Sequence, residues 1–225
     1  MAVRIDTVYQ KVLMLANKEQ RGYITPQEFN LFADQAQLEI FEQYFYDMNF
    51  YKLKKDNSNE YSDIIDNLHE KISLFETMGT VVGSTTLTGP DIYRVGTIIS
   101  VDGREIEEVQ PNEITYMLNS PLTQPTTLRP VYVKKGPTTI KVYPAPVATE
   151  FHYIKKPRKP NWSYVVVNGK AMYDNSQVVD FELHPSEENE LTYKILKYAG
   201  VSMRRDDIAR GGQGLEISQI QQEKQ

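Results

Sequence analysis

Cysteine is absent from this sequence, so disulfide staples, thiolate metal sites and thiol redox chemistry are excluded from the start. At 225 residues the chain needs none of them, because a globular chain of that length buries about 70% or more of its unfolded surface. Histidine is scarce as well. His69, His152 and His184 are the three imidazoles, and none lies in an H-E-x-x-H or comparable ligand spacing. G-x-S-x-G and Walker loops are missing too. No run approaches the roughly 20 apolar residues of a membrane helix. The opening MAVRIDTVYQKVLMLANKEQ is amphipathic without an apolar h-region, so no signal peptide is read there. The expectation is a soluble protein of reducing surroundings, without cofactor, metal or catalytic residues and without a membrane partner.

Charge of one sign is also lacking. The 25 basic and 30 acidic residues leave a net charge of -5. Residues 1–79 carry 8 Lys/Arg against 13 Asp/Glu, residues 80–183 carry 11 against 10, and residues 184–225 carry 6 against 7. Such a balance argues against tight general binding to nucleic acid. What the chain does have is tyrosine, 15 of them, beside 8 Phe and one Trp. A tyrosine buries its ring and keeps a polar tip, which suits surfaces that become interfaces.

One stretch looks like chemistry. Counted from Asn17, NKEQRGYITPQEFNLF has Gly at position six, Ile at eight and Glu28 at twelve, as in the closing half of an EF-hand loop. The other ligand positions hold Asn17, Glu19 and Arg21, and a guanidinium facing a dication is repulsive by about 4 kcal/mol for each unit-charge pair at 4 Å and an effective dielectric near 20. A helix start accounts for every residue instead. Thr25 is the N-cap, Pro26 the first helical residue, Glu28 the return partner of a capping box, and Ile24 with Phe29 a hydrophobic staple.

Apolar spacing then predicts helices. The first carries Ile5, Val8, Tyr9, Val12, Leu13 and Ala16. The second, from Pro26, carries two stripes: Phe29, Phe32, Ala36, Ile40, Tyr44 and Met48, and Leu31, Leu38, Phe41 and Phe45. A helix apolar on more than one side must be covered on more than one side. A third spans about 60–76. From residue 80 the period shortens to that of strands, with hairpin signals at Asp102-Gly103, Lys135-Gly136-Pro137 and Asn168-Gly169, and a short helix over Pro111–Leu118. Helix returns after His184-Pro185 and is expected to stop at Gly200. The fold class read from this order is α+β: a helical bundle built from the N-terminal and C-terminal segments (1–79 and 184–202), an antiparallel β insertion (80–183) and a flexible C-terminal tail (203–225).

Asp63, Asp66 and Glu70 share a side of the third helix and are read as a solvated acidic face. His69 is read as helix surface and His184 as part of a helix start. The Gly211–Gly214 cluster follows no strand, so it is read as a hinge and not a phosphate cradle. YIKKPRKPNWSY is the best binding candidate. Lys155, Lys156, Arg158 and Lys159 interleave with prolines before Trp162, which fits either a stiff connector packed on a neighbouring subunit or a single-stranded nucleic-acid module with an aromatic platform. The candidate interface comprises these five residues with Phe41, Tyr44, Phe45, Arg204 and Arg205.

Three stretches carry a resemblance: NKEQRGYITPQEFNLFADQAQLEIFEQYF, VYPAPVATEFHYIKKPRKPNW and VVDFELHPSEENELTYKILKYAGV. In these the sequence resembles the ring or adaptor virion proteins of short-tailed bacteriophages, above all crAss-like phages, and more distantly the tail tubular protein A group. The resemblance implies a non-catalytic subunit of a homo-oligomeric ring, commonly a dodecamer, at the portal–tail vertex of the virion. Its partners would be the portal protein and neighbouring tail or ring proteins, with genomic DNA passing through the channel without sequence-specific binding.

Overall fold

A computed structural model describes residues 3–17, 24–53, 59–80, 86–88, 91–100, 103–136, 139–144, 148–202, 213–218 and 221. The fold is α+β, and the chain divides into two compact units: residues 1–74 with 157–225, and residues 75–156.

The first unit is helical. It contains α1 (Ile5–Asn17), α2 (Pro26–Leu53), α3 (Asn59–Ser73) and α5 (Glu188–Ser202), the last entered through a 3-10 turn at Pro185–Glu187. The start of α2 is the capping box read from sequence. The Thr25 N–H and hydroxyl donate to Glu28 Oε2 at 3.0 and 2.7 Å, and the Glu28 N–H returns to Thr25 Oγ1 at 3.3 Å. Those bonds hold the Glu28 carboxyl below its ordinary value. Ile24 and Phe29 are buried beside the cap, as a staple requires.

At 3.6 residues per turn, the buried α2 residues Phe29, Ala36, Gln37, Ile40, Phe41, Tyr44 and Phe45 merge the two stripes into one arc of about half the circumference. The chain covers that arc itself. Tyr9 of α1 meets Phe29 edge-on with ring centroids 4.8 Å apart, Tyr198 of α5 stacks on Phe32, and the Lys71 ammonium of α3 lies over the Tyr44 ring. Leu31, outside the arc, is exposed.

Along one edge of α2 lies an extended strap, residues 157–162, the segment read from its prolines as a stiff connector; it packs on α2 of its own chain. Asn30 Oδ1 accepts from the Trp162 N–H at 2.8 Å, and its amide donates to Trp162 O and Asn161 Oδ1. Two turns on, the buried Gln37 donates to Arg158 O at 2.8 Å and accepts from the Glu182 N–H at 3.1 Å. Seven helical residues rise about 10.5 Å, and the three to four extended residues from Arg158 to Trp162 span about 10–13 Å. The two amides are therefore spaced to grip an antiparallel strap.

β8 (Tyr164–Val167) and β9 (Lys170–Tyr173) follow the strap as a two-stranded hairpin. Asn168 and Gly169 have φ of 51° and 75°, the positive values a two-residue hairpin turn of this kind needs. The sequence reading had put 157–183 with the β insertion, but Trp162 is locked among α1 and α2 residues and the segment belongs to the helical unit.

The second unit holds two sheets, in the strand orders β1-β7-β3 and β2-β6-β5-β4. β1 (Glu76–Thr80), β3 (Ile92–Ser100) and β7 (Ala148–Lys155) form the first; β2 (Thr86–Thr88), β4 (Glu107–Glu108), β5 (Val131–Lys134) and β6 (Thr139–Tyr143) form the second. Pairing is antiparallel except for β4 beside β5. Ile98, Tyr132, Ile140, Val142, Phe151 and Tyr153 join both sheets in one core. Because side chains alternate, Val131 and Val133 of β5 face the other way, onto Ile114 of α4 (Pro111–Asn119). The Gly103 turn lies at φ 75°, where the sequence placed it.

α5 ends at Ser202, the bound of the segment 184–202 read from sequence and two residues past the stop signal at Gly200. One expectation about the C-terminal end is corrected. The tail is not wholly flexible, since residues 213–218 are helical and Glu216 is buried.

The two-amide grip yields a direct test. Gln37→Leu keeps the volume but strands the Arg158 carbonyl and the Glu182 N–H, and each buried unsatisfied group costs about 1–3 kcal/mol. Urea denaturation is expected to lose stability in that range, whereas Leu31→Gln at the exposed side of the same helix should change it by less than about 0.5 kcal/mol.

Candidate functional site

The basic segment resolves into two halves. Lys155 and Lys156 end the β unit, where the Lys155 N–H donates to Phe75 O and the Lys156 N–H to Asp91 O. Arg158 and Lys159 belong to the strap. Arg158 is matched by Glu182, with its side-chain Nε 2.7 Å from Oε1 and its backbone N–H 3.1 Å from Oε2, and Lys159 Nζ stands 3.8 Å from Asp34. Two of the four cations thus already face carboxylates of their own chain.

Trp162 is no stacking platform. It is 3% exposed, its indole N–H donates to Asp6 Oδ1 at 3.0 Å, and Tyr9 covers its ring at 4.0 Å between centroids. Tyr164 and Tyr173 at the foot of the β8–β9 hairpin pack on it as well. The nucleic-acid reading of 155–162 needs that face open to a base, so the structure corrects it. Trp162 is instead the anchor that joins strap and hairpin to α1.

The same correction applies to Phe41, Tyr44 and Phe45. All three are buried within the chain, and Phe41 and Phe45 pack edge to face on each other at 5.1 Å; the apolar surplus expected to need sister copies is covered by α1, α3 and α5. Arg204 and Arg205 lie outside the described residues, as do Gly211 and Gly212. Of the half EF-hand loop, residues 18–23 lie outside them too. Among the described residues no three His, Asp or Glu side chains stand together as a metal cluster, and no helix is long and apolar enough to cross a membrane. Asp63, Asp66 and Glu70 are exposed on α3. His184 caps the helix start, its Nδ1 accepting from the Ser186 N–H.

Sequence reasoning missed a buried charge network. Lys194 of α5 reaches Glu216 at 2.7 Å, Glu39 of α2 at 3.1 Å and Glu190 at 3.5 Å, while Lys197 also pairs with Glu216 at 3.1 Å. Tyr198 donates to the second oxygen of Glu39. Burial alone would push Lys194 down, but the carboxylates of Glu216 and Glu39 hold its ammonium well above its ordinary value. Burial likewise would raise Glu39, yet bonds from Tyr198 and Lys194 and the charges of Lys194 and Lys197 keep it low. Burial and the Glu39 carboxylate push the Tyr198 phenol up to about 12. Beside the network is a polar cavity of about 160 Å³. Glu187, buried and paired with Lys71 at 2.6 Å, leaves its Oε2 without a hydrogen-bond partner in that wall. No sequence signal for the network exists beyond a lysine on the apolar side of α5.

The surface left open lies elsewhere. On the hairpin, Val165, Val166, Val167 and Met172 are 51, 62, 46 and 57% exposed, so both faces of the ribbon show apolar side chains to solvent. The signal was legible: YVVV before Asn-Gly lacks the polar alternation of a half-buried strand. In the β unit, Leu122 and Leu128 are exposed at a groove of about 440 Å³ that Arg104 also lines, and Tyr116 of α4 is exposed as well.

Two measurements follow. Trp162 is the one tryptophan, so emission reports this site alone; a blue-shifted spectrum unmoved by oligothymidylate is expected, and a saturable quench that fades with salt would restore the nucleic-acid reading. For the charge network, Glu39 is lowered from an ordinary 4.5, so its contribution is complete above about pH 4.5 and is lost as pH falls through its folded value. Lys194 is raised from 10.5, so its contribution is complete below about pH 10.5 and is lost only as pH rises through its folded value. Denaturation midpoints should therefore decline below pH 4.5, and Glu39→Gln should flatten that acid limb; an identical limb in the variant would show that other carboxylates set it.

No protein-family model matches the chain, and no curated protein matches it.

Proposed function

We propose that this chain is a non-enzymatic virion structural protein that closes with further copies into a ring of the portal–tail connector, as a head-to-tail adaptor, with the genome passing through the ring. The observation that carries the reading is the uncovered hairpin. Three consecutive exposed valines on a ribbon that has no third strand among the described residues form a surface that isolated soluble proteins avoid, and in a ring a neighbouring subunit covers it. The three stretches that resemble ring and adaptor proteins supply the virion context. The balanced charge suits a channel wall, because dense phosphate contacts would hold DNA instead of letting it pass.

The internal pairing of Arg158 and the burial of Trp162 favour no second reading based on nucleic acid. The helical unit would suit a ring building block: its core is buried within the chain, so association would leave the fold alone and bury only the surface still open.

Native mass spectrometry and negative-stain imaging of the purified chain, alone and with the portal protein encoded in the same genome, test the proposal. A closed ring of about twelve copies in at least one mixture is expected from the closed cyclic symmetry of such assemblies. A chain that stays monomeric at every concentration in both would overturn it.

A further inference from the structure

Two edges remain open on the same ribbon. β8 and β9 pair with each other and, among the described residues, with no other strand. In each strand alternate residues turn their N–H and C=O groups away from the hairpin partner, so one side of the ribbon offers a free β8 edge and the other a free β9 edge. Natural proteins protect such edges with charge, proline or a bulge. Tyr164-Val165-Val166-Val167 has none of these, its register with β9 is unbroken, and the one charge on the pair is Lys170. A two-stranded hairpin is also marginal alone, whereas three or more strands with an apolar face are stable. Trp162 supports its foot through Tyr164 and Tyr173. Nothing described supports its middle.

We infer that the hairpins are the joint of the ring, the free β8 edge of one copy pairing with the free β9 edge of the next. This rests on the ring reading above and names the contact that closes it. Rotation about a ring axis repeats every hairpin in the same orientation, so β8 of one copy and β9 of its neighbour run antiparallel automatically. Each copy gives one edge and receives the other, which is a heterologous contact that closes without remainder. The result is a continuous antiparallel belt with two strands from each copy and no free edge. Pairing of β8 with β8 would make a four-stranded dimer and leave both β9 edges open, so it cannot propagate around a ring. Side chains agree with the β8-to-β9 choice. Valines and Met172 would meet across the joint, and no like charges would be opposed.

Because the chain has no cysteine, single introduced thiols report the joint without background. Val165→Cys and Met172→Cys chains are prepared separately, mixed under assembly conditions and oxidised. A disulfide-linked dimer is expected from the mixture, at least tenfold more than from either variant alone. In parallel, Val165→Lys with Val167→Lys places two charges on the β8 edge; unchanged Trp162 emission checks folding, and the ring population is expected to fall at least tenfold. Rings that form from the two mixed cysteine variants without a mixed disulfide, or lysine-variant rings that form undiminished, would refute the edge pairing while leaving the ring reading intact. Self-crosslinked Val165→Cys would refute it in favour of a β8–β8 dimer. A wild-type chain that forms no ring removes both.

Discussion

Gln37 has no exposed surface, and both ends of its amide are used by the strap. With Asn30 two turns earlier, it ties an extended piece of chain from the far side of the sequence against α2 through polar groups that have no other way of being satisfied. Much of the helical unit depends on that grip. It sets where Trp162 enters the core beside Tyr9 and Asp6, and where the hairpin is rooted. Buried amides contribute little net free energy when paired, yet cost the full desolvation penalty when unpaired. They therefore specify one arrangement by making the alternatives expensive. An apolar pair at those positions would cover the strap without fixing its register.

Lys194 of α5 acts in the same way. A lysine that deep inside a fold must be matched by carboxylates, and Glu39, Glu190 and Glu216 are brought to it from α2, α5 and the helical residues 213–218. Glu216 is the buried residue of that last segment, while Leu215 and Ile217 beside it remain exposed. The segment is held by charge more than by apolar burial. Replacement of such a network by apolar residues is often neutral or stabilising, so what it supplies is direction: it decides which part of the C-terminal chain returns to α5, and in which rotation.

Local signals were read well from sequence because their physics is local. The Thr25–Glu28 box, the Asn168-Gly169 turn and the Gly103 turn are each decided by two to four adjacent residues. The strap's extended course was legible in its prolines, but its docking on α2 was not, since Asn30 and Gln37 look like ordinary polar positions until a partner more than a hundred residues away is known. The boundary at 183 failed for the same reason: the strand pattern of 164–173 is real, but strand character does not say which unit a hairpin joins, and Trp162 decides that. Phe41 and Phe45 were read as interface from the width of the α2 apolar arc. A wide arc states that cover is needed, not who provides it, and here α1, α3 and α5 suffice.

That last correction relocates the question of assembly. Had the second α2 stripe been shared between copies, the subunit would fold only as it assembled, and stability and oligomerisation would be one equilibrium. With the stripe covered internally, the helical unit has its own core, and the apolar residues of the β8–β9 hairpin are among those left uncovered. In the proposed ring, association would order little beyond a short ribbon, so its entropic cost would be small. One four-residue edge would be a weak contact by itself, which would keep free subunits from sticking at random. In a closed ring every copy makes the contact twice, and the closing contact forms between subunits already held together, at a high effective concentration. A weak joint repeated around a closed circle is therefore compatible with a soluble subunit and a stable ring, because closure supplies what the single edge lacks.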